Sequence, residues 1–154
     1  MEFLADLYKA YHKELHPAFA EVDLYSTLLF FFEYHPFHNV LHQKVCDIFL
    51  HALDTNLDPI VNHLLYQTNL IKRILETSKD HTTSGKGGFL TFDSTSHTIP
   101  RGFLIFIRKL ANKLIEMQKA NEEIASFLES IPEWGDYQEN ELAKANEIES
   151  KPLG

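Results

Sequence analysis

The apolar side chains of this chain of 154 residues recur at helical spacing, and that pattern directs it to an all-α fold. In Val40–Leu53, the residues Leu41, Val45, Ile48, Phe49 and Ala52 fall at i, i+4, i+7, i+8 and i+11, one face of an α-helix. Phe103, Ile107, Leu110, Leu114 and Met117 repeat the pattern, and Ile124, Phe127, Leu128 and Ile131 make a shorter stripe. With 6 Gly and 6 Pro the chain is too poor in turn formers for an all-β reading.

Prolines and capping residues divide the helices. Leu15-His16-Pro17 predicts the end of a first helix over about 3–14, because the residue before proline is pushed out of the α region. A second helix, about 18–34, stops at His35-Pro36; its end, Leu28–Phe32, is apolar all round, which predicts a central position. A third spans about 39–54. Asp58-Pro59 reads as an N-cap followed by a first-turn proline, and Asn69 as the cap of a fifth helix. Further helices are expected over about 100–119, 121–130 and 132–149, started by Asn121 and Pro132. Between them lies Ser78–Ile99, with 9 Ser or Thr and 3 Gly, too little apolar area to offset ordering; it reads as a flexible insert, open to proteolysis and phosphorylation.

The expected organisation is therefore helical repeats over 1–77, the insert over 78–99, C-terminal helices of the same domain over 100–149, and a tail over 150–154. About seven to eight helices with short connections fit a HEAT- or armadillo-like α-solenoid fragment or an irregular helical bundle. The expected core is Leu28, Leu29, Phe31, Leu41, Val45, Ile48, Phe49, Leu64, Ile71, Ile107, Leu110 and Leu114.

Charge and cysteine content exclude several functions. The net charge is −8, with the excess base confined to residues 78–120, too dilute for a nucleic-acid footprint. No apolar run approaches a membrane span, and Met1-Glu2 opens without the basic and apolar regions of a signal peptide. The lone Cys46 allows no internal disulfide and fits a reducing compartment, so the cytoplasm or nucleus is expected.

No catalytic set emerges. His38 and His42, and His12 and His16, have the i, i+4 spacing of helical metal pairs, but no third ligand is in evidence and Asn39 stands where a zincin needs Glu. His38 and Asn39 read as helix caps and His42 as a packing or hydrogen-bonding residue. Ser84-Gly85-Lys86-Gly87-Gly88 lacks both the earlier glycine and the Ser or Thr of a phosphate loop. Cys46, inside an amphipathic helix, reads as a small buried hydrophobe rather than a nucleophile. Neither an enzymatic activity, a metal nor a cofactor is expected.

Four segments taken in order resemble the SAPS family, phosphatase-associated regulatory proteins of the protein phosphatase 6 class. They are Phe31–His42, with Tyr34, Pro36, Phe37, His38, Asn39 and the Leu41-His42 pair; Ile60–Leu65 continuing into Asn69–Leu75; Gly102–Asn112; and Glu133-Trp134 with Tyr137. The resemblance covers about residues 25–149 and is to the C-terminal portion of the family domain. Ile105 and Phe106 stand where the family usually has Gly-His. The resemblance implies a non-catalytic scaffold that binds a Ser/Thr protein phosphatase catalytic subunit, or other protein subunits, in a hetero-complex. Two alternatives remain: a structural part of a larger assembly that keeps the fold without phosphatase binding, and a His-based metal-binding helical protein. Tyr34, Pro36, Phe37, His38, Asn39 and His42 mix aromatic and hydrogen-bonding groups as interface hot spots do, so they are the first expected partner-binding surface. The basic stretch Arg101, Arg108, Lys109 and Lys113 is the second.

Overall fold

A computed structural model describes residues 12–35, 37–82 and 101–150. These residues are helical, and no strand occurs among them. They form α1 (His12–Glu21), α2 (Leu24–Tyr34), α3 (Asn39–Asp54), α4, α5 (Leu70–Thr82), α6 (Arg101–Ala120), α7 (Glu122–Glu129) and α8. Helix α4 opens as Asp58–Asn62 and continues as a π-helical turn, His63–Gln67. Helix α8 opens as Pro132–Asp136, widens into a π-helical stretch, Tyr137–Leu142, and closes as Ala143–Ser150. The all-α class agrees with both the bundle and the solenoid fragment expected. Two compact units divide at Lys113, within α6.

In the first unit the helical stripes bury as their spacing predicts. Val45, Ile48, Phe49 and Ala52 of α3 are enclosed, as are Leu28, Leu29 and Phe32 of α2, Leu64 of α4, Ile71 of α5, and Phe103, Ile107 and Leu110 of α6. Helix α2 packs on α1 and α3, and α4 packs on α1 and α3. The Phe103 ring lies 4.7 Å from that of Phe32, which brings the start of α6 against α2. Left-handed residues mark three connections: Asp23 (φ 49°), Asn56 (φ 50°) and Asn69 (φ 54°). Asn and Asp tolerate this conformation far better than other residues with a Cβ.

The first boundary departs from the sequence reading. Helix α1 runs through Pro17 and ends at Glu21, and the break falls at Val22-Asp23 instead. An interior proline costs about 3 kcal/mol. Burial on either side of it offsets that cost: His16 and Phe19 are enclosed against Tyr25, whose hydroxyl is hydrogen-bonded to His16 Nδ1. Burial pushes the Tyr25 hydroxyl pKa up, so it stays protonated. The part of the expected first helix before His12 lies outside the described residues.

Other boundaries shift by less. Leu57 occupies the N-cap of α4, with Asp58 and Pro59 in its first turn. Helix α5 continues to Thr82, into the segment expected as insert, and the remainder of that insert, with its glycine-rich stretch, lies outside the described residues. Phe31, expected in the core, is 43% exposed.

The second unit comprises the end of α6 with α7 and α8. Asn121 caps α7 as expected, its side chain accepting from the amides of Glu123 (2.9 Å) and Ile124 (3.3 Å). Pro132 sits in the first turn of α8. Leu114, Met117, Ile124, Leu128, Trp134, Tyr137 and Leu142 are buried, and the Trp134 and Tyr137 rings lie 5.6 Å apart.

Candidate functional site

The aromatic run that closes α2 is divided between two faces. Leu28, Leu29 and Phe32 point into the core, so helical geometry turns Phe30 (54% exposed), Phe31 and Tyr34 (50% exposed) outward. The exposed rings order one another: Phe30 stacks on Tyr34 at 5.6 Å, and Phe31 on His35 at 6.3 Å. Phe37 (69% exposed) and Val40 (59% exposed) extend the apolar surface into α3. Tyr34, His35, Phe37, His38, Asn39 and Val40 line an open groove of about 600 Å³ between the two helices.

Hydrogen bonds fix the walls of this groove. The His35 amide donates to the Phe31 carbonyl (3.2 Å) and closes α2, and the His38 amide donates to the His35 carbonyl (3.0 Å). His38 caps α3, its Nδ1 accepting from the Leu41 amide at 3.1 Å. That acceptor role places the proton of the neutral ring on Nε2. His42 is fully buried against Phe32, Phe103 and Phe106, its Nε2 donating to the Phe32 carbonyl at 3.0 Å. Its Nδ1 makes no hydrogen bond. Burial lowers the His42 pKa, outweighing the backbone groups of Phe32 and His35 that favour the charged ring.

Charged side chains are sparse in the sequence around this turn. Between Leu24 and Gln43 the only charged side chain is Glu33. It is buried and paired with the Arg73 guanidinium of α5, which also donates from Nε to the Thr68 carbonyl at 3.0 Å. Burial raises the Glu33 pKa, with Arg73 opposing the shift.

The structure thus gathers Tyr34, Phe37, His38 and Asn39 at one groove, and Pro36 lies outside the described residues. His42 does not belong to the surface: its ring fills the space between α2, α3 and α6, and it reaches no partner. The capping role of His38 and the hydrogen-bonding role of His42 follow their sequence readings. Their rings serve separate purposes, and His16 is committed to Tyr25. Among the described residues, no group of three or more His, Cys, Asp or Glu side chains is arranged to hold a metal ion. Cys46 is buried, and its thiol pKa is pushed up to about 12 by that burial.

The described side chains of the basic stretch have separate surroundings. Lys113 is ion-paired to Asp54, at the far end of α3 from the groove. Lys109 is exposed, its Nζ 5.4 Å from the Phe106 ring centroid, and Arg108 is half-buried. The Arg101 side chain lies outside the described residues. Ile105 is partly exposed, whereas the Phe106 ring packs on His42.

Sequence reasoning missed Phe30, Phe31, His35 and Val40 as surface residues. The signal was the run Leu28–Phe32 itself. Five consecutive apolar residues subtend more of a helix than one core face can cover, so some must face outward.

Among the described residues, the turn between α2 and α3 thus carries an exposed aromatic surface on an all-helical framework. The chain belongs to the SAPS family, whose model, described as SIT4 phosphatase-associated protein, matches residues 14–151. Comparison with curated proteins and with solved structures returned no match. No helix among the described residues is long and apolar enough to cross a membrane.

Proposed function

We propose that this chain is a non-catalytic helical scaffold that holds a Ser/Thr protein phosphatase catalytic subunit, or a subunit bound to one, in the cytoplasm or nucleus. The observation that carries this reading is family membership over residues 14–151. The groove supports it: exposed aromatic rings beside hydrogen-bonding side chains form the composition of interface cores, and charged residues are depleted there.

The test is titration of the purified chain with a purified phosphatase catalytic subunit of the protein phosphatase 6 class, followed by calorimetry. Saturable binding is expected, and the chain alone is expected to leave p-nitrophenyl phosphate unhydrolysed. Absence of binding at micromolar concentrations refutes the reading. A second reading, a structural subunit that keeps the fold without holding a phosphatase, is favoured by one observation: Phe106 replaces a polar family residue and packs on His42. Co-purification in a stable complex devoid of phosphatase would select it.

A further inference from the structure

We propose that the junction of α2, α3 and α6 is an acid-sensitive latch, in which proton uptake by His42 frees the first turns of α6 while α2 and α3 stay joined. This goes beyond phosphatase association and does not depend on it.

His42 is the polar centre of an otherwise aromatic contact. Its ring is fully buried, and the rings of Phe32, Phe103 and Phe106 lie 4.6, 4.9 and 5.9 Å from it. Its Nε2 donates to the Phe32 carbonyl, and its Nδ1 makes no hydrogen bond. In the neutral ring Nδ1 is an acceptor alone. An imidazolium carries a second N–H and a full charge, and both are costly in an enclosed site.

The groups around the ring do not offset that charge. From α2, Glu33 follows Phe32 in sequence but is committed to Arg73. In the α2–α3 turn, His35 and His38 act on the ring with charge of the same sign. On α3, Cys46 lies one turn further on and keeps its proton, its thiol pushed up to about 12 by burial. From α6, the Lys109 ammonium stands 5.4 Å from the centroid of the Phe106 ring. Burial lowers the His42 pKa, so the closed junction favours the neutral form.

The hydrogen bonds select the element that moves. Helices α2 and α3 are tied by the His42–Phe32 bond, by the His38 amide on the His35 carbonyl, and by the His38 cap. At this point α6 is held by the Phe103 and Phe106 rings and by the Cys46 thiol, a weak donor 3.8 Å from the Phe106 carbonyl. Lifting the first turns of α6 therefore admits water to the ring with the least loss of hydrogen bonds. An opened ring has the ordinary pKa of about 6.5 and takes up a proton that the closed ring refuses. Opening is favoured as pH falls below that value, by up to about thirtyfold between about pH 7.5 and pH 5.

The test is hydrogen–deuterium exchange of the full chain at these two pH values, corrected for the intrinsic pH dependence of amide exchange. The amides of 106–110 in α6 should be less protected than those of 45–53 in α3 at both values. In acid their protection should fall by up to about thirtyfold. His42→Gln, which keeps a neutral donor for the Phe32 carbonyl, should remove most of this fall, as should His42→Phe, which keeps a ring. Equal protection of the two segments in the wild type overturns the proposal, with or without folded variants. So does a fall of less than about threefold at 106–110, or an undiminished fall in either folded variant.

Discussion

Replacing Arg73 by Met tests how the buried Glu33 is held. The substitution keeps an unbranched apolar stem and removes the guanidinium, which leaves the Glu33 carboxylate buried without this partner. Removing one member of a buried ion pair costs about 3–5 kcal/mol. The Glu33 side chain is 10% exposed and that of Arg73 24%, so some solvent reaches the pair and the lower end, about 3 kcal/mol, is expected. For a chain of this size that corresponds to a fall of about 6–12 °C in Tm. The loss should depend on pH. Burial already raises the Glu33 pKa above its unfolded value, so the stability this group contributes is present in acid and fades as pH rises through the folded pKa. Without Arg73 both opposing influences vanish and the pKa rises further. The variant should therefore lose least near pH 4 and most near neutrality, measured by urea denaturation at each pH. Adding Glu33→Gln to Arg73→Met should restore much of the loss at neutral pH. A cost below about 1 kcal/mol at neutral pH, or the same cost at both pH values, would refute the argument.

Other outcomes follow from single residues. Phe49→Ala should cost about 3–5 kcal/mol in chemical denaturation, since the ring is fully buried and meets Tyr25 edge-on at 5.5 Å. His42 is neutral in the fold because burial lowers its pKa, and it takes up a proton on unfolding; stability should fall as pH drops below about 6.5, with a shallower fall in His42→Gln. Cys46, with its thiol pushed up to about 12, should resist thiol reagents at neutral pH until the chain is unfolded. Asn121→Ala should cost about 1 kcal/mol through loss of the α7 cap.

What could be read in the sequence was local. The Leu41–Ala52 stripe, the Asn121 cap and the Pro132 start depend on residues within a turn or two of one another, and each appears where spacing and capping chemistry place it. Pro17 shows the opposite case. Its local preference is to end a helix, yet contacts of His16 and Phe19 with Tyr25 carry α1 onward, and that tertiary term has no signature at Pro17 itself. The groove divides in the same way. Tyr34, Phe37, His38 and Asn39 lie together because a turn gathers neighbours in sequence. His42 was misplaced among them because its exposure is set by Phe103 and Phe106, some sixty residues away along the chain.

The burial of Glu33 is itself a long-range property. Glu33 lies one turn after Leu29, on the edge of the buried face of α2. Arg73 stands 40 residues further on, at the start of α5, and its guanidinium draws the carboxylate inward while also holding the Thr68 carbonyl that ends α4. The carboxylate is thereby removed from the aromatic face of Phe30, Phe31 and Tyr34, and α2 and α5 are fixed to one another by the same bond. The inward position of the Glu33 carboxylate is therefore a consequence of how α2 and α5 are joined, and perturbing Arg73 should change the stability of the chain and the charge at this rim together.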